Sequence, residues 1–98
     1  MSGINSYKDL LIWQKGIDIA INLYELVEYF PKEEIYGLTN QIRRSAVSIL
    51  SNISEGMGRQ HKSESIHFLH ISRGSIYELE AQLLISLDLH YIEEDKHQ

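Results

Sequence analysis

Apolar residues recur at steps of three and four along three stretches of the chain, with polar residues between them. That is the period of a helix buried on one side. In the first stretch, residues 7–30, Leu10, Trp13, Ile17, Ala20, Tyr24 and Val27 share one helical face. Ile12, Gly16, Ile19, Leu23, Leu26 and Phe30 form a second stripe, about 110° further round at ~100° per residue. Gln14, Asp18, Asn22 and Glu25 line the polar side, and Pro31 ends the helix.

The second stretch, residues 37–55, puts Leu38, Ile42, Ala46, Ile49 and Ile53 on a core face with Ser45 and Asn52 at its edge. Ser45, Ala46, Ser48, Ser51 and Ser54 are small enough for another helix to approach closely. Gly56-Met57-Gly58 reads as a stop in which glycine takes the left-handed cap conformation. Ser63 is the expected N-cap of the third stretch, residues 64–90. Its core face is Phe68, Leu69, Ser72, Ile76, Leu79, Leu83, Ser86 and Leu87. Gly74 costs about 1 kcal/mol there relative to alanine and is read as a close-packing point. From Leu79 to Ile92 the stretch is apolar almost all round, and a charged tail follows from Glu93. Short links make neighbouring helices antiparallel. The pattern therefore predicts an all-α, up-and-down antiparallel bundle, one domain over residues 1–98, with three long helices and no strand.

Composition narrows the function. One proline and six glycines leave too few turns for an all-β fold. With no cysteine there is no disulfide, no thiolate zinc site and no cysteine nucleophile. The net charge of −5 argues against general nucleic-acid affinity. No run reaches the ~18 apolar residues of a membrane span, so no membrane partner is expected. The expected compartment is the cytoplasm, since residues 1–5 carry no secretory pattern.

Three groups of residues carry the specificity of the sequence. The first runs from Phe30-Pro31-Lys32-Glu33-Glu34-Ile35-Tyr36-Gly37-Leu38 into Gln41-Ile42-Arg43-Arg44-Ser45-Ala46-Val47-Ser48-Ile49. The second is Asn52-Ile53-Ser54-Glu55-Gly56 with Gly58-Arg59, and the third is Phe68-Leu69-x-Ile71-Ser72-x-Gly74-Ser75-x-x-Glu78-Leu79. With the opening Leu10-x-x-Trp13-Gln14-Lys15, they make the chain resemble the "four helix bundle protein" family, which includes proteins encoded by intervening sequences in 23S rRNA genes. The resemblance implies a cytoplasmic bundle that forms a ring-like homo-oligomer, typically a pentamer, with no enzymatic activity and no cofactor. It also implies a fourth helix beyond Tyr91-Ile92, which these residues do not include. A related branch, the accessory proteins of diversity-generating retroelements, partners a reverse transcriptase and is basic, whereas this chain is acidic.

The candidate chemistry is sparse. Arg43, Arg44, Arg59 and Lys62 face a single acid, Glu55, between residues 41 and 62. They are read first as ion pairs within or between subunits, for example Arg43 or Arg44 with Glu78 or Glu80. The second reading is contact with RNA or a nucleic-acid enzyme. Asn52, Glu55 and Glu78 are read as structural polar groups, Asn52 as a register-fixing residue. Glu64-x-x-His67 has the spacing of a di-iron bundle motif, but no second copy exists, so no metal site is expected. His67 and His70 are read as exposed. No arginine precedes a histidine at the spacing of helical-bundle ribonucleases. Trp13, Tyr24, Tyr29, Tyr36, Tyr77 and Tyr91 are expected in the core or in subunit contacts rather than as base-stacking platforms.

The resulting expectation is a non-enzymatic, self-associating interaction module or scaffold, RNA-associated if the family reading holds. The alternative is a small bundle enzyme, a metal-dependent oxidase or a ribonuclease. Ile12, Ile19, Leu23 and Leu26 on the first helix and Leu84, Ile85 and Leu89 on the third are the expected subunit contacts.

Overall fold

A computed structural model of the chain describes residues 11–93. Three helices account for most of them: α1, Leu11–Val27; α2, Leu38–Met57; and α3, Lys62–Asp88. A short 3-10 turn, Lys32–Glu34, lies between α1 and α2, and there is no strand among the described residues. Leu10 and the tail from Glu94 lie outside the described residues.

Both helix pairs are antiparallel, and the register can be followed contact by contact. Along α1 and α2, Trp13 meets Ser54, Gly16 meets Leu50 and Arg43 lies over Tyr24. Along α2 and α3, Gly56 meets Ser65, Ser72 meets Ile49, Ser75 meets Ser48 and Gln82 meets Ser45. The extensive interfaces are α1–α2 and α2–α3, with α2 in the middle. The three helices therefore form an open layer. The radius of gyration, 15.5 Å, exceeds the ~13 Å of a close-packed domain of this length.

The core is small. Leu23, Val27, Phe30, Leu38, Ile42, Ala46 and Leu79 form it, with Ala20, Leu26, Ile49, Leu83, Tyr91 and Ile92 packed around. On α1 the face turned inward runs Trp13, Gly16, Ala20, Leu23, Val27, a blend of the two predicted stripes. Tyr24, expected on the core stripe, is exposed, and Leu23, expected at a subunit contact, is core. On α3, Leu69 and Ile76 are exposed where the pattern predicts core, and Ser75 is buried in their place. Where small residues bring two helices close, the buried positions shift toward the serines.

The helix ends correct several expectations. α1 stops at Val27, because Glu28, Tyr29 and Phe30 bond back three residues rather than four. His61, not Ser63, precedes α3, and no side chain caps it. Gly58 ends α2 in a right-handed conformation, φ −86°, so it is not a left-handed cap. The left-handed residue is His90, φ 64°. There the His90 amide donates to the Leu87 carbonyl and the Tyr91 amide to the Ser86 carbonyl, the paired bonds of a Schellman turn. Gly56 is needed for a different reason: a Cβ there would stand 3.0 Å from the Ser65 carbonyl oxygen and 3.3 Å from Phe68 Cβ. Gly74 faces open space and is no packing point.

Candidate functional site

The α2–α3 seam concentrates the polar chemistry. Ser45 and Ser48 on α2 face Ser72, Ser75 and Gln82 on α3. Small side chains let the two backbones approach, and each buried hydroxyl then needs a partner close at hand. Ser72 Oγ donates to the Ile49 carbonyl at 2.8 Å, and Ser48 and Ser75 share a hydrogen bond of 2.8 Å. Ser45 Oγ donates to Gln82 Oε1 at 3.0 Å, and Ser86 Oγ turns back to the Gln82 carbonyl at 2.8 Å. Above this floor opens a polar cleft of about 450 Å³, lined by Gln41, Arg44, Ser45, Ser48, Glu78 and Gln82.

The predicted basic set does not come together. Arg43 and Arg44 lie near the start of α2 and Arg59 beyond its end, about 20 Å away at ~1.5 Å per residue. Arg43 lies over the Tyr24 ring at 5.4 Å, with its Nε buried and unbonded. Arg59 pairs with Glu55 at 2.6 Å and lies 4.6 Å from the Phe68 ring centre. Lys62 opens α3 and is exposed. The anticipated pairs of Arg43 or Arg44 with Glu78 or Glu80 are not formed among the described residues; the ion pair present is Arg59–Glu55. Asn52 does not tie two helices. Its amide donates to the Ser48 carbonyl within α2, at 2.8 Å, and the inter-helix register rests on the serines. His67 and His70 are exposed, and no group of three metal-ligating side chains occurs among the described residues.

A second polar knot fixes the other end of the layer. Glu34 accepts the Leu38 amide on one oxygen, 3.0 Å, and the Tyr91 hydroxyl on the other, 2.8 Å. The Leu38 amide first, and Tyr91 second, hold the Glu34 carboxyl below its ordinary value. The same carboxylate pushes the Tyr91 hydroxyl up. Tyr91 also packs on Phe30, ring centres 5.4 Å apart, as expected of the aromatic set. Tyr29 and Tyr36, in contrast, stand almost fully in solvent.

Two apolar grooves flank α1. One, about 390 Å³, is lined by Ile17, Ala20, Ile21, Tyr24 and Val47, with Glu25 and Glu28 at its rim. The other, about 540 Å³, is lined by Leu26, Leu83, Leu84, Leu87 and Ile92, with Glu80. Of the predicted subunit contacts, Ile12, Ile19, Leu84, Ile85 and Leu89 are exposed, Ile12 at 60% and Leu84 at 64%, and Leu26 lines the second groove. Leu23, at 8%, is unavailable to a partner because it fills the core beside Val27 and Phe30.

Sequence reasoning missed the cleft. Gln41 and Gln82 had no assigned role, and Ser75 was not read as facing α2. The available signal was the pairing of serines at three-residue spacing on both helices, 45 and 48 against 72 and 75.

No helix among the described residues is long and apolar enough to cross a membrane. The model of the 23S rRNA-intervening sequence protein family matches residues 8–98. No curated protein matches the chain.

Proposed function

This chain belongs to the 23S rRNA-intervening sequence protein family, and from that membership we propose that it is a cytoplasmic, non-enzymatic module that associates with copies of itself and serves as a scaffold for RNA or a ribonucleoprotein. The observation that carries the self-association is the pair of apolar grooves on either side of α1. Ile21 and Val47 line the first and Leu84 the second, and Ile12, Ile19, Ile85 and Leu89 are exposed as well, while only eight apolar side chains are buried among the described residues. Contiguous apolar surface beyond ~300–600 Å² is uncommon on a stable monomer. Covering it gains roughly 25 cal/mol per Å². Two different patches on one subunit suit a head-to-tail ring. The order of five comes from the family resemblance.

The RNA part rests on family membership and on exposed Arg59 and Lys62. Phosphate contacts make affinity fall steeply with salt. Size exclusion with light scattering tests the first part: the chain elutes as an oligomer at micromolar concentration, and a stable soluble monomer overturns it. Filter binding of 23S rRNA fragments across a salt series tests the second. Binding that weakens with salt and with Arg59→Ala/Lys62→Ala supports it, and no salt-sensitive binding removes RNA from the reading.

A further inference from the structure

The polar cleft on the α2–α3 seam has no part in burying the apolar faces of α1, and its lining is specific. Four positions of α2, Gln41, Arg44, Ser45 and Ser48, follow one helical face, and Glu78 and Gln82 stand one turn apart on α3. Arg44 and Glu78 flank the bonded pair Ser48–Ser75 from opposite walls, yet they form no ion pair with each other or with any other described residue. An unpaired cation and an unpaired anion thus face one space of about 450 Å³, within the range of small-molecule sites. The floor is already fixed, because Ser45, Ser48 and Ser75 bond across the seam. Binding there orders only the rim side chains, so little entropy is lost in assembling the site.

We propose that this cleft binds a small α-amino-acid zwitterion, its carboxylate on Arg44 and its ammonium on Glu78. Glu78 decides the class. A phosphate or an RNA backbone placed on Arg44 would meet the Glu78 carboxylate, whereas a zwitterion satisfies both walls. Gln82 accepts the Ser45 hydroxyl on Oε1, which leaves its amide nitrogen free to donate, and Gln41 adds a second amide. A ligand with a carboxamide side chain complements these two, so glutamine binds better than glycine. The guanidinium fork suits a carboxylate through two parallel hydrogen bonds.

The test is titration of the intact protein, in whatever assembly it adopts, with glutamine, glycine, N-acetylglutamine and glutaminamide, followed by calorimetry and amide chemical shifts. Glutamine is expected to bind and to shift amides at 41–48 and 75–82. N-Acetylglutamine, which lacks the ammonium, and glutaminamide, which lacks the carboxylate, are each expected to bind about tenfold more weakly or worse, as loss of a charged hydrogen bond implies. Arg44→Ala loses glutamine and Glu78→Ala does likewise, while both keep the helical circular dichroism of the parent. Failure of both zwitterions to bind overturns the proposal and makes the cleft a solvent-filled seam. Binding that survives both substitutions, or that N-acetylglutamine matches, overturns it equally. Neither result bears on self-association, which is read from mass alone.

Discussion

The two long interfaces of the layer are built from opposite materials. Along α2–α3, serines do the packing and hydroxyls bond across or into the neighbouring backbone. Along α1–α2, larger apolar side chains meet, and Trp13 Nε1 donates to Ser54 Oγ at 2.8 Å. The serine seam brings the backbones close enough that a Cβ on Gly56 would press on the Ser65 carbonyl oxygen at 3.0 Å. The α1 side buries one stripe and leaves Ile12, Ile19 and Ile21 in solvent. Small polar residues thus fix where α3 sits on α2, while large apolar ones make a core and leave surplus surface for another chain.

Ile42→Ala breaks both interfaces at once, because Ile42 is fully buried at the centre of the core. It is expected to cost about 2–5 kcal/mol, read as a lowered thermal or urea midpoint. Ser72→Val separates the two sides. It removes the bond to the Ile49 carbonyl and forces a branched side chain into a position only 3% exposed, for an expected loss of about 1–3 kcal/mol. Its counterpart on α1, Ile19→Ser, is expected to change the stability of the unassociated chain by no more than about 0.5 kcal/mol. Equal losses from the two would erase the distinction. His90→Gly sharpens it at the end of α3: the residue sits at φ 64°, so glycine is expected to gain about 0.5–1 kcal/mol in the same melt.

The smallest effect is the pH response of the Glu34 knot. Glu34 is held below its ordinary value in the folded chain, so its contribution is present above that value and is lost as the pH falls through the folded one. Tyr91 is pushed up, so its contribution is full below its ordinary value and disappears as the pH rises through the folded one. Glu34→Gln should flatten the acid limb of the stability curve, and Tyr91→Phe the alkaline limb. Unchanged limbs in pH-dependent melts would mean that the knot adds nothing.

The fold was legible because steps of three and four in Leu38, Ile42, Ala46, Ile49 and Ile53 reflect burial directly. The site was less so. Periodicity ranks positions by hydrophobicity, so it put Leu69 and Ile76 inside and passed over Ser75, although only a small residue fits at the seam. Leu23 belongs to either α1 stripe by spacing, and only the packing of Val27 and Phe30 beside it decides which way it turns. Glycine misled at Gly58 because its tolerance of left-handed backbone does not require its use, and His90 took that conformation through two bonds no local pattern announces. Arg43, Arg44 and Arg59 fall in one basic stretch of the sequence, but the length of α2 holds the first two apart from the third.

Sedimentation of the wild type beside Ile19→Ser/Leu84→Ser, with circular dichroism on the same samples, tests most directly whether the seam holds the fold while the grooves hold the assembly. The wild type should sediment at a multiple of the chain mass at micromolar concentration. The variant should sediment at the mass of one chain with its helices retained. A monomeric wild type, or a variant that keeps the wild-type mass, would contradict the account.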